Sequence, residues 1–484
     1  MLNRRTALKT VAAAGAVALF PWERITGSSA PKAYASATAD PAPIIPFAHA
    51  MPVPKVLAPV SSTPASQTYE LRMREAQTEI VKGLTSTVRT YGGCFPGPTI
   101  RAAQGREVVI RQINQLSVDT AVHLHGGHVP SAHDGLPMDT IAPGAERTYR
   151  YPNEQRAASL WYHDHAHHLE AENVYLGLHG LYLLYDSYER SLPLPSGAYD
   201  VPLVIRDARV EVDGTLRYTR PSDCPHMLVN GKERPYFKVA ARKYRLRVYN
   251  ACANRYLKLR FADGAEFTQI ATDGGLLERP VKRTELVMLG GERVEIVVDF
   301  SRYGPGASVV LENAGAQPSE RPEVMRFDVG AVTADQSYVP TLLAPEPDPL
   351  PSPTVQRDFE LRTFPAMTIN GLTYDPDRVD VTARLGATEV WTIRNVDVPA
   401  EPGKPDFHLW HSFHTHLTYF RVLERNGAPA GVRDAGLKDT VALGPGESVR
   451  IAMTWGPYPG QYVYHCHQLG HSSGGQMGRV DVVA

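Results

Sequence analysis

Cysteine is scarce in this chain: four residues in 484, too few for a disulfide framework. An excess of one charge is equally absent. Fifty Lys and Arg stand against 51 Asp and Glu, for a net charge of -1, and no basic run follows the N-terminus, so no nucleic-acid partner is expected. The apolar run near the N-terminus is too short for a permanent membrane span. Long helical periodicity is hard to find, whereas Gly (39) and Pro (40) are plentiful. That combination predicts an all-β protein of many short strands. A length of 484 residues exceeds a single core and suits roughly two to four domains.

What is there begins with an address. Residues 1–35 carry "NRRTALK", with Arg4 and Arg5 ahead of "TVAAAGAVALF", and "AYA" at 33–35, the pattern of a cleaved signal peptide. The paired Arg point to the twin-arginine export machinery as a partner, with an ordinary secretory signal as the alternative. Either route places the mature protein outside a bacterial cytoplasm, in the periplasm, at the cell surface or secreted. Residues 36–65, rich in Pro, Ala and Ser, read as a flexible leader.

The remainder is one unit written three times. "PGAERTYRYPNEQRAASLWYHDH" (143–165) and "PGESVRIAMTWGPYPGQYVYHCH" (445–467) share Pro-Gly, an acid, an alternating strand, a turn and an aromatic-Tyr-His-x-His ending. A degenerate copy, "GGERVEIVVDFSRYGPGASVVLEN", lacks His. "VVIRQIN" (108–114), "YRLRVYN" (244–250) and "VWTIRN" (390–395) form a second echo, each a strand ending at Asn, and "LVNG" (228–231) and "TING" (368–371) a third. So long a period means duplicated domains rather than a solenoid. Each copy has enough short strands for a Greek-key sandwich. The domains are expected at 66–190, 191–330 and 355–484, with a Pro-rich surface linker at 331–354.

The 18 His are not scattered at random. They include four His-x-His pairs: His123/His125, His163/His165, His414/His416 and His465/His467. On a strand, residues i and i+2 project from one face about 7 Å apart, so each pair aims two imidazoles the same way. Two pairs fall in the first domain and two in the last; packed together, they bring eight imidazoles to one interface. Zinc, with four tetrahedral ligands, would require two ions and leave Cys466 unexplained. Imidazoles with a single thiolate favour copper. Cys466 must face away from His465 and His467, where it can join His471 and a further His, with His411 the natural candidate, in a trigonal site with a weak axial ligand. One strand would then touch two copper sites back to back, with a backbone route for electrons between them. The first domain has Asp164 at the matching position, so no such site is expected there.

The motifs "HLHG", "WYHDHA", "HSFHTH" and "HCHxxxH", in that order, resemble the four copper motifs of the multicopper oxidases, over nearly the whole mature chain. Within that family, "SLWYHDHAHHLEAENVYLGLHGLYLLYD", "LPSGAYDVPLVI" and "HDGLPMD" look like the bilirubin oxidase and bacterial spore-coat laccase branch. The resemblance implies three cupredoxin-like β-sandwiches and four copper ions per chain. His411, Cys466 and His471 would hold the type 1 ion, and His123 and His414 the type 2 ion. His125, His163, His165, His416, His465 and His467 would hold the type 3 pair. It implies oxidation of a small-molecule reducing substrate (phenols, aromatic amines or pigments) coupled to four-electron reduction of O2 to water. Copper(I) or another metal ion as the substrate is a rival reading, although the ten Met form no Met-rich segment; a non-enzymatic exported scaffold of the same fold is another.

Asp134, in "HDGLP", matches an acid that helps deliver protons in this family. The family usually has Glu directly after the last type 1 His; here that position is Ser472. The weak axial ligand of Met-bearing relatives falls ten residues after the Cys, which is Gln476, and Met477 is one place too late. Adjacent residues of an extended segment face opposite ways, so Gln476 is the expected ligand and Met477 the alternative. The other His (49, 128, 133, 167, 168, 179, 226 and 408) are read as core, surface or supporting residues, with His133 and His168 placed to orient ligands. Cys94, Cys224 and Cys252 allow at most one disulfide. Trp410, beside His411, either packs in the core or shapes substrate entry.

Overall fold

The alternating strands pair into three two-sheet sandwiches in chain order. The computed structural model describes residues 39–316, 320–346, 349–398 and 409–484; the signal peptide expected at 1–35 and His408 lie outside them. In the first sandwich, Ser66–Glu79 lies between Ser61–Ser62 and Glu107–Asn114, which in turn pairs with Glu146–Tyr151. The facing sheet runs Gly97–Ala103, His179–Tyr185, Ala158–Asp164, Val122–His125. The second and third sandwiches pair seven strands with five and six with five. Sheet membership changes between Tyr185 and Asp200, and again between Val332 and Val355.

Period-2 burial explains the cores. In "TYELRM", Tyr69, Leu71 and Met73 are buried and meet Ile110, Leu160 and Tyr182 from neighbouring and facing strands. Each large apolar side chain so buried stabilises the fold by about 1.5–3 kcal/mol. Trp391 and Trp455 serve the third core in the same way.

The sequence echoes are structural. Asn114, Asn250 and Asn395 end equivalent strands, and each uses its side chain as a latch. The Asn114 amide donates to the carbonyls of Val118 and Ile141 while its oxygen accepts from Leu116 N–H. Asn250 bonds Arg255, Met288 and Cys252 in the same pattern, and Asn395 bonds Leu409, Leu443 and Asp397. Each latch carbonyl also accepts from a Gly at positive φ, respectively Gly144, Gly291 and Gly446.

Residues 41–60, expected to belong to a flexible leader, are tied down instead. Ala42 N–H donates to Val210 O, Met51 N–H to Tyr236 O and Leu57 N–H to Thr99 O, and the Ala42 and Met51 side chains are buried. The segment straps the first domain to the second by backbone pairing, which leaves no compositional trace. The connection at 333–354 carries no helix or strand among its described residues and is pinned where buried Leu343 donates to Glu278 O. No helix among the described residues is long and apolar enough to cross a membrane.

The His-bearing strands are neighbours within their sheets. Val122–His125 pairs with Ala158–Asp164 so that His123 is opposite His163. His411–Thr415 pairs with Gly460–Cys466 so that His414 is opposite His465. The first and third domains meet across these faces, with His123 stacked on His416 at 3.7 Å and His125 on His414 at 3.8 Å between ring centroids. Two short helices, Glu170–Leu176 and Leu469–Ser473, close the junction, where Ala171 N–H donates to Ser473 Oγ at 3.3 Å.

Candidate metal centre

Eight imidazoles converge at this junction, all buried. Six donate a hydrogen bond from their outward nitrogen, and a seventh, His165, sets its own against a carboxylate. His123 Nδ1 donates to Asp134 O at 2.7 Å, His414 Nδ1 to Asp439 O at 2.8 Å, His163 Nδ1 to Asp164 O at 2.9 Å and His465 Nδ1 to Cys466 O at 3.0 Å. Carboxylates face three more: Asp134 Oδ2 accepts from His416 Nδ1 at 2.6 Å, Asp439 Oδ1 accepts from His125 Nε2 at 3.0 Å, and Glu170 Oε2 lies 3.0 Å from His165 Nδ1 as an ion-pair partner. Each of these bonds fixes the tautomer and leaves the inward nitrogen as a bare lone pair.

The inward nitrogens face one another. His465 Nε2 lies 3.2 Å from His165 Nε2 and 3.3 Å from His416 Nε2. His163 Nε2 lies 3.4 Å from both His125 Nδ1 and His467 Nε2. His123 Nε2 and His414 Nε2, also buried, have no hydrogen-bond partner. Lone pairs this close repel unless a cation lies between them, so the donor set fits metal ions. Burial, reinforced by the neighbouring imidazoles, pushes His123, His414, His416 and His467 well below the ordinary histidine range, and His465 to about 4. Burial also lowers His165, but the Glu170 carboxylate outweighs it and the net shift is upward. The imidazoles so lowered are held neutral, the state in which a metal ion can bind them.

On the other face of the same strand, His411, Cys466 and His471 bring ligand atoms within 4.8 Å of one another, all buried. Cys466 Sγ lies 3.6 Å from His471 Nδ1 and accepts from Ser412 N–H at 3.4 Å. His411 Nε2 donates to Asp397 Oδ2 at 3.0 Å, leaving its Nδ1 without a partner. Burial pushes the Cys466 thiol up to about 12, so only a bound cation would keep it a thiolate. Gln476 is buried beside this loop; both its amide hydrogens are spent on the carbonyls of Arg362 (2.9 Å) and Thr368 (3.2 Å), while Oε1 has no partner. Met477 begins the last strand opposite His465 and packs with Tyr374 and Val463.

Asp134 follows a 3-10 turn at Ser131–His133, and Gly135, at φ +75°, lets the chain pass where any Cβ would run into the Val122 carbonyl. Its backbone holds His123 and its carboxylate holds His416, with Oδ1 left unpartnered; burial raises its pKa to about 8. Ser472 is buried beside the Glu170 carboxylate, so an acid from the first domain stands next to the position where a Glu was missing. His168 donates to Ser473 O at 2.9 Å and joins the two helices. The free cysteines are Cys94, Cys224, Cys252 and Cys466; no disulfide forms among the described residues. Trp410 is half-buried, 4.8 Å from the Tyr256 ring and bonded through its carbonyl to Gln468. Asp397, Asp439, Thr440, Glu170 and Arg293 were not anticipated. Only Asp397 had a signal, lying two residues past the latch Asn395.

A thiol–imidazole site back to back with an eight-imidazole cluster, spread over two of three β-sandwiches, defines a metal-dependent oxidoreductase. Residues 72–189 and 346–484 each match the family described as Multicopper oxidase. A laccase of Bacillus subtilis (strain 168) is 35% identical, over 90% of this chain and 98% of its own. A bilirubin oxidase of Albifimbria verrucaria is 36% identical, over 84% of this chain and 75% of its own. A laccase structure from Pediococcus acidilactici superposes with a TM-score of 0.82 at 28% identity, over 92% and 95% of the two chains. The chain belongs to the multicopper oxidase family and is an oxidoreductase.

Proposed function

We propose that this chain is an exported oxidase holding four copper ions, the number typical of its family, and coupling one-electron oxidation of phenols, aromatic amines or pigments to reduction of O2 to water. His411, Cys466 and His471 would hold the type 1 ion, with the unpartnered Gln476 Oε1 as a further, weaker donor. His123 and His414 would hold the type 2 ion. His125, His163 and His467 would hold one type 3 ion, and His165, His416 and His465 the other. The observation that carries this reading is the set of inward lone pairs 3.2–3.4 Å apart, with every fixed tautomer pointing them at one another. Copper, when bound, supplies one-electron redox chemistry and O2 reduction.

The chain's own residues do the rest. Cys466 is joined by single peptide bonds to His465 and His467, so the thiol site and the imidazole cluster are covalently continuous. Asp134 would hold a proton at its carboxyl group, between His123 and His416, and Glu170 beside Ser472 offers a second carboxylate on the far side of the cluster. The Trp410–Tyr256 pair next to His411 offers an aromatic surface to an aromatic donor. Arg4 and Arg5 ahead of the N-terminal apolar run support export.

The test is copper reconstitution of the parent and of Cys466→Ser. The parent should approach four copper ions per chain, with an intense blue thiolate-to-copper band. The variant should lose that band and oxidase turnover, while keeping its fold and the other ions. Turnover of Cys466→Ser at the parent rate would refute the reading.

A further inference from the structure

The second sandwich has no ligand, yet its degenerate copy "GGERVE" reaches the imidazole cluster. Ser412 Oγ donates to Gly290 O at 2.8 Å. A Cβ on Gly291 would lie 2.9 Å from His467 Cγ and 3.1 Å from His125 Cε1, so this turn abuts two rings and tolerates no side chain. Two residues further on is Arg293, fully buried.

Arg293 has five N–H donors, and each has an acceptor. Nε donates to Ser159 O in the first domain at 3.0 Å. Nη1 donates to Gly291 O at 3.0 Å and to Asp439 Oδ1 at 2.6 Å. Nη2 donates to Asp273 O at 3.2 Å and to Asp439 Oδ2 at 2.6 Å. The pair with Asp439 is a two-pronged fork, which fixes the plane of the carboxylate as well as its position. Gly126, directly after His125, leaves the room: a Cβ there would lie 2.6 Å from Arg293 Nη2 and 2.7 Å from Asp439 Oδ2.

Asp439 in turn governs two imidazoles. Its carbonyl accepts from His414 Nδ1, and its Oδ1 accepts from His125 Nε2 with Thr440 Oγ1 alongside. Among the cluster's histidines with an assigned outward bond, His125 alone turns Nε2 outward and Nδ1 inward. Its ring therefore depends on an acceptor placed beyond its far end. Asp439 Oδ1 and Thr440 Oγ1 each lie 3.0 Å from Nε2, Thr440 in turn donates to that carboxylate, and the fork from Arg293 holds the carboxylate in place.

We propose that Arg293, contributed by the ligand-free domain, is a positioning residue for the metal cluster: through Asp439 it sets the tautomer and orientation of His125 and the seat of His414. This rests on the copper reading above. Loss of an outer hydrogen-bond partner weakens metal binding by roughly 10–100-fold, and the effect is confined to the cluster, since Arg293 has no bond to His411, Cys466 or His471. The alternative is that Arg293 merely ties three domains together.

Arg293→Ala would strip buried Asp439 of its fork and open a cavity, so that loss of fold would mask its effect; the informative variant is Arg293→Lys. It keeps the buried charge but cannot fork. Arg247→Lys is the control for a pure tie, because Arg247 bonds Ser159, Glu295 and Asp200 and has no bond to an imidazole. Copper is titrated into each apo-protein, and blue absorption, type 2 electron paramagnetic resonance and melting are recorded. Arg293→Lys should keep the parent blue band, bind copper at the cluster roughly 10–100-fold more weakly and change the type 2 resonance; Arg247→Lys should shift melting alone. Parent copper binding and an unchanged type 2 resonance in Arg293→Lys would overturn the proposal, as would loss of the blue band together with the cluster. A parent protein that takes up no copper fails earlier and refutes the copper reading itself.

Discussion

Acidifying the copper-free protein should destabilise it steeply between pH 7 and pH 6. Seven cluster imidazoles (His123, His125, His163, His414, His416, His465 and His467) are held below the ordinary range, chiefly by burial. Half-buried His128 and His167 and buried His179 and His226 behave alike, at about 3 to 4. These groups stay neutral in the native state, whereas the unfolded chain protonates them near pH 6.5. Their contribution is therefore present above pH 6.5 and lost as pH falls through it. Between pH 7 and pH 6 each forfeits about 0.7 kcal/mol, or about 7–8 kcal/mol together. Four groups chiefly oppose this, the weakest being Asp273, raised to about 6. Asp134, raised to about 8, and Asp164, raised to about 7, keep protons that the unfolded chain releases, and His165 is raised beside Glu170. Their stabilisation grows on acidification by about 3 kcal/mol in total. The net loss is about 4–5 kcal/mol, a large share of a typical stability of about 5–15 kcal/mol. Urea titrations of apo-protein at the two pH values, fitted with a common m-value, measure it directly. Equal or greater stability at pH 6 would mean that the imidazoles are not held neutral, and the fixed tautomers would fall with them.

Two substitutions probe the assigned roles more locally. Gln476→Met replaces a hard amide oxygen with a soft thioether and should raise the type 1 potential, whereas Met477→Leu, in the Tyr374–Val463 cluster, should barely move it; redox titration of both decides which residue is axial. Asp134→Asn keeps the shape of the side chain but removes its ionisable proton, so stopped-flow reoxidation by O2 should slow by about 100-fold or more while reduction of the blue site is spared. Unchanged reoxidation would shift the proton role to Glu170.

The clustering of the candidate ligands was legible because strand periodicity and duplication both constrain them. His-x-His at period 2 places two rings on one face, and the repeated pairing of His123 with His163 and His414 with His465 follows from the repeated unit. Cys466 was legible for the same reason, since the residue between two inward histidines must face out. Gln476 and Met477 stayed open because their side chains are sorted by a turn after the Leu469–Ser473 helix, not by a strand period. What supports the ligands was nearly silent. Asp439 lies 314 residues from His125, and Arg293 lies 146 from Asp439, so no spacing rule connects them. Glu170 opens a short helix whose register against Ser472 belongs to another domain. The strap at 41–60 looked like a tether because an extended segment joined by backbone bonds needs no apolar pattern.

The Asn latch bears on how such a protein acquires its ions. The middle sandwich closes through Asn250 with no imidazole to coordinate anything, so closure of the unit does not draw on coordination chemistry. The outer sandwiches use the same latch, and their ligand nitrogens ride on strands already locked by it. The chain is thus finished as a polymer before it is charged, the reverse of a zinc finger, whose fold waits for its ion. A vessel completed first must be filled through its walls. With every cluster imidazole sealed from solvent, an ion entering the cluster would have to pass through momentary openings in those walls, and its uptake would be paced by that breathing and not by the affinity of the nitrogens.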